Sequence, residues 1–135
     1  MDFQINQIIT ENELRKFEFI RIFLDYKLYV LNEDYTYIIA IDKSSLICGC
    51  FEFHETDEGF QLAHMHVVGS LKGQGIGSEI MKEAVDMWEI FDLPSTDRSR
   101  TYHYIENGLR FIHHCFDIGI LTEPTFTRPE EYVIS

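Results

Sequence analysis

Leu62-Ala63-His64-Met65-His66-Val67-Val68, followed closely by Lys72-Gly73-Gln74-Gly75-Ile76-Gly77-Ser78, is the stretch from which the fold is read. The first run is apolar enough for a strand. After Gly77, the apolar residues Ile80, Met81, Ala84, Val85, Trp88 and Phe91 recur at helical spacing. Glu79, Lys82, Glu83, Asp86 and Glu89 take the other side, so the pattern predicts a helix with one face on a sheet.

A strand that ends in glycines opening a helix is suited to binding anionic oxygen. The first helical N–H groups lack intrahelical partners, and the helix dipole adds partial positive charge there. Glycine permits close approach and positive φ, although a tight strand-to-helix turn wants glycine for its own sake. Two phosphate motifs are excluded. Gly77 is followed by Ser78-Glu79 rather than the Lys-Ser/Thr pair of a Walker loop. Glycines spaced two apart, in a chain without repeated βαβ units, do not fit the dinucleotide fingerprint.

Working outward, Tyr35 to Ile41, Leu46 to His54 and Phe60 to Val68 read as three successive antiparallel strands. Asp42-Lys43-Ser44-Ser45 and Glu55-Thr56-Asp57-Glu58-Gly59 are the turns between them. Phe3 to Ile9 reads as a first strand. Thr10-Glu11-Asn12-Glu13 is a capping box opening a helix whose apolar face is Leu14, Phe17, Ile20 and Phe23 or Leu24. Asp25 to Leu31 reads equally as a short helix or a strand. After the central helix, the sequence predicts a short helix over 97–106 closed by Asn107-Gly108, then one or two strands over Leu109 to Leu121. A final edge strand is expected in the tail through Pro124 and Pro129 to Val133.

At 135 residues and 45% hydrophobic, the chain suits one domain, 1–135, with a substantial core. The expected class is α/β in the broad sense, α+β in the narrow one: a mixed, mostly antiparallel sheet flanked by helices. No long apolar run or basic leader is seen, so a soluble, cytoplasmic protein is expected. Cys48, Cys50 and Cys115 read as free thiols. A net charge of −12 opposes nucleic acid and anionic membranes and attracts cationic partners. A metal site is not expected: Cys48, Cys50 and His54 would share a strand face, but Cys-x-Cys is not a usual zinc spacing.

Lys72-Gly73-Gln74-Gly75-Ile76-Gly77 resembles the acyl-CoA site of the GNAT family of N-acetyltransferases. That signature is Arg/Gln-x-x-Gly-x-Gly/Ala, and lysine stands here for its first residue. Tyr102-His103-Tyr104-Ile105-Glu106-Asn107-Gly108-Leu109 is similar to the family's Phe-Tyr-x-x-x-Gly-Phe segment. The resemblance implies a GNAT-like sheet, and an acyltransferase that moves an acetyl group from acetyl-CoA to a primary amine through a ternary complex. It implies that the turn from Lys72 to Ser78 holds the pyrophosphate, that the amide near Val67 or Val68 faces the thioester carbonyl, and that Tyr104 protonates the departing thiolate. His64 and His66, two apart in a strand, are the candidate bases. The family's strand after the central helix is represented only by Ile90-Phe91-Asp92-Leu93, and its asparagine at the last helix by Asp97. The acid-rich flanks, Glu11, Glu13, Asp25, Glu33 and Asp34, favour a cationic acceptor, small molecule or peptide. Two rival readings are a non-catalytic GNAT-like module that binds CoA or a protein partner, and an interaction protein whose exposed aromatics serve a homodimer.

Overall fold

A computed structural model describes residues 3–69, 73–105 and 107–130. The architecture is mixed α+β. One five-stranded antiparallel sheet, in the order β1-β2-β3-β4-β5, is built from β1 (Glu18–Phe23), β2 (Tyr26–Asn32), β3 (Tyr35–Ile41), β4 (Ile47–Thr56) and β5 (Gly59–Val67). The helices are α1 (Glu11–Leu14), α2 (Ile76–Trp88) and α3 (Gly108–Asp117). Among the described residues no helix is long and apolar enough to cross a membrane.

Both faces of the sheet are covered, because β3 is apolar at every position from Tyr37 to Ile41 and β4 is apolar from Ile47 to Phe51 rather than at alternate positions. In β3, Ile38 and Ala40 join one buried cluster while Tyr37, Ile39 and Ile41 join another. The first cluster takes Ile76, Ile80, Met81 and Ala84 from α2 and Ile112 and Cys115 from α3. Full burial of an Ile or Met side chain contributes roughly 1.5–3 kcal/mol each. The helix comes close because Gly49 lies beneath it: a Cβ there would stand 2.8 Å from Ile80 Cδ1. On the same side, Arg21 from β1 pairs with Glu79 and with the buried Glu83 of α2. The second cluster is closed by Phe3, Ile9 and Phe17.

Several expectations are corrected. Residues 3–9 make only a single bridge, Ile8 to Leu46, rather than a strand. The capping box forms, with Glu13 N–H donated to Thr10 Oγ1 and Thr10 N–H to Glu13 Oε1, yet its helix ends at Leu14. Glu18-Phe19-Ile20-Arg21-Ile22-Phe23 is rich in β-branched and aromatic residues, and ladder bonds to β2 win over the helical spacing of Leu14, Phe17 and Ile20. The open stretch from Asp25 to Leu31 is resolved as strand β2.

No helix forms over 97–105, where Asp97 instead holds Ser99 N–H in a local turn. Asn107-Gly108 opens α3 rather than closing a helix, and Asn107 has φ −90°, ψ 10°, not a left-handed conformation. The expected strands over 109–121 are therefore α3 and its exit. That helix ends in a Schellman motif: Gly119, at φ 81°, donates to Phe116 O while Ile120 N–H donates to Cys115 O. The tail through residue 130 holds no strand; its later part lies outside the described residues.

Cys48 and Cys50 fall in opposite clusters, not on one face. A register shift pairs Ala40 with Gly49 but Ile41 with Ile47, so the bulged strand turns Cys48 over.

Candidate functional site

The strand after α2 is reduced to one parallel bridge, Gln61 to Asp92, in which Leu62 N–H donates to Asp92 O and Asp92 N–H to Phe60 O. Past that bridge a cavity of about 790 Å³ separates Ala63–Val67 of β5 from Pro94 and from His103, Tyr104 and Ile105. Gly73, Gly75, Ile76, Gly77 and Ser78 wall one end, and Asn107, Arg110, Phe111 and His114 of the α3 region line another part.

The glycine turn is built by conformation. Gly75 is the N-cap of α2 at φ 86°, and Gly73 has φ 92°, both in the left-handed region where a side chain is strained. Among the described residues no side chain caps α2, and the first N–H groups of a helix have no partner within it. Gly77 serves a second purpose, since a Cβ on it would meet Phe111 Cε1 at 3.1 Å. Gln74 Oε1 accepts from the Tyr26 hydroxyl, and Ile76 is buried in the core. Lys72 lies outside the described residues.

At the end of β5, Val68 N–H is donated to Cys48 O at 2.9 Å, so it cannot also face a ligand. An antiparallel strand alternates its amides, which turns Val67 N–H to the open edge beside the cavity. Of the two amides, Val68 N–H is engaged in the ladder and Val67 N–H is the one turned to the cavity edge.

Tyr104 precedes α3 rather than lying on a helix, with its N–H donated to Ser95 O. Its hydroxyl is buried and has no partner among the described residues. Burial first, and the neighbouring Cys115 second, push its phenol well above the usual tyrosine range, which keeps it protonated. Tyr102, two residues earlier, goes elsewhere: its hydroxyl lies 3.0 Å from His54 Nδ1.

His64 and His66 pair across the ladder with Glu52 and Cys50 and share their sheet face, the one covered by the N-terminal segment. Their rings stack with centroids 6.0 Å apart, and His64 Nε2 lies 3.7 Å from Glu52 Oε2. As edge-strand residues they line both this first cavity and a second one that reaches the face covered by the N-terminal segment. The two predicted bases thus stand at the β5 edge, in the lining of the cavity that also takes Tyr104 and in that of the second cavity. Among the described residues no group of three or more His, Cys, Asp or Glu side chains is placed to hold a metal ion.

Sequence reasoning missed Arg110, Phe111 and His114. Asn107, Phe111 and His114, spaced four and three apart, are one helical face, a signal lost once the segment was read as strands. It also missed the Glu52–His54–Tyr102 chain, which joins β4 to a loop nearly fifty residues further on. No family model matches this chain, nor does any curated protein.

Proposed function

We propose that the protein is a GNAT-type N-acetyltransferase that moves an acetyl group from acetyl-CoA to a primary amine. The observation that carries this reading is the cleft opening past the Gln61–Asp92 bridge, with the glycine-built N-terminus of α2 at one end and Tyr104, its hydroxyl buried behind the lining, among the wall residues. An extended acyl thioester fits such a cleft. Its pyrophosphate would meet the α2 amides, with Arg110 as the one arginine or lysine among the described lining residues, and its acyl carbonyl would meet Val67 N–H. The neutral amine attacks the carbonyl carbon, the C–N bond forms and the C–S bond breaks, the nitrogen releases one proton to solvent, the Tyr104 O–H donates its proton to the thiolate, and the phenolate regains a proton from solvent. Because the chain carries a charge of −12, a polyphosphate ligand depends on these local donors against the overall field.

The second reading is a CoA-binding module without transfer. It is favoured by the engagement of His64 with Glu52 and its stacking on His66, which tie the candidate bases to the second cavity as well as the first. Calorimetry with acetyl-CoA, followed by a thiol-release assay over a panel of amines, separates the two. Binding with thiol release supports transfer, binding without release supports the module, and no binding overturns both.

A further inference from the structure

The acyl-transfer reading leaves unused the most polar feature of the opposite sheet face. A cavity of about 570 Å³ lies there, walled by Tyr35, Glu52, His54, His64 and His66 and closed by Phe3 to Ile5. Glu52 Oε2 accepts from His54 Nε2 at 2.6 Å. A carboxylate only accepts, so Nε2 carries the hydrogen; in the neutral ring Nδ1 then accepts from the Tyr102 hydroxyl. His54 is thereby held by both nitrogens, and it stacks on Tyr35 with ring centroids 4.1 Å apart.

Among the described residues Glu52 is the single acid of this lining, and its side chain is only 14% exposed. Among the described residues the lining contains no lysine or arginine. The partners of this half-enclosed carboxylate in the described lining are imidazoles, His54 Nε2 at 2.6 Å and His64 Nε2 at 3.7 Å, rather than a permanent cation, an arrangement that favours uptake of one. The exposed Tyr35 adds a π face, which also attracts cations.

We propose that this second cavity binds a primary ammonium group, with Glu52 as its anionic partner and Tyr35 and His54 as its aromatic wall. Ile5, His64 and His66 border both cavities, so an amine held here stands at the edge of the acyl cleft. That the ammonium group belongs to the acetyl acceptor rests on the acyl-transfer reading; that it binds does not.

The test is calorimetric titration of the whole chain with spermidine in the absence of acetyl-CoA, repeated with Glu52→Gln and Tyr35→Leu. Saturable binding is expected, weakened at least tenfold in Glu52→Gln and severalfold in Tyr35→Leu. It should also weaken as salt rises from 0.01 M to 0.15 M, since the Debye length falls from roughly 30 Å to about 8 Å. Spermidine perturbation of the His54 and His64 imidazole signals by NMR in the unaltered protein locates the site even if Glu52→Gln fails to fold. No binding, equal binding to folded Glu52→Gln, or unperturbed imidazoles would overturn the proposal. Acetyl-CoA, titrated separately, judges the transferase reading: its failure to bind removes the acceptor role and leaves the ammonium site to stand or fall on the spermidine result.

Discussion

Gly77 lies directly under Phe111: a Cβ on the glycine would stand 3.1 Å from Phe111 Cε1 and 3.3 Å from Cζ. The last glycine of the turn thus sits in the packing of α2 against α3, whatever it does for a ligand. Gly77→Ala forces that ring to shift and should destabilise the protein by about 1–3 kcal/mol, as overpacked sites do. Urea unfolding measures it, and a loss below half a kcal/mol would mean that Phe111 yields freely.

Gly75 differs in kind, since a Cβ there would find only Phe23 Cζ at 3.6 Å, an ordinary contact. The constraint is its φ of 86°, which costs a non-glycine residue roughly 1–2 kcal/mol. Gly75→Ala should therefore lower stability modestly and keep most acetyl-CoA affinity. Gly75→Asp adds negative charge at the N-terminus of α2 and should abolish binding. Equal affinities of the two folded variants would place the pyrophosphate elsewhere.

Tyr104→Phe removes a buried hydroxyl that has no partner among the described residues, so stability should stay level or rise, because an unsatisfied polar group is lost. Turnover should fall by on the order of tenfold to a thousandfold, with acetyl-CoA affinity retained. Tyr102→Phe should behave oppositely, losing stability by about 1 kcal/mol through the His54 hydrogen bond. A turnover loss confined to Tyr102→Phe would move the acid to the other cavity.

The thiols report on burial and on alkaline stability. Cys48, Cys50 and Cys115 are all buried and free, and burial pushes Cys50 and Cys115 up to about 12. Their folded values exceed the unfolded one, so the stability they contribute is complete below the unfolded thiol value of about 8.5 and is lost as pH rises toward the folded value. Thermal melts should decline above about pH 9. Cys50→Ala should be less stable at neutrality yet decline less steeply. A colorimetric thiol reagent should react slowly with the folded chain and with all three thiols in denaturant.

The sequence by itself determined the elements whose signals are local. The strands near Tyr35–Ile41, Ile47–Thr56 and Gly59–Val67 and the helix Ile76–Trp88 are legible because turn residues and hydrophobic period agree within each segment. Thr10 and Glu13 likewise form their capping box wherever the chain goes next. Tertiary structure decided the cases where two local rules compete. Leu14, Phe17 and Ile20 fit a helix, but Glu18–Phe23 gains a ladder to β2 that no window of sequence contains. Asn107-Gly108 can stop a helix or start one, and the left-handed stop belongs to Gly119, twelve residues beyond Asn107. The site is still less local. A bulge at Cys48, the sheet face taken by His64, and the meeting of His54 with Tyr102 each depend on which strand lies alongside, and packing rather than propensity makes that choice.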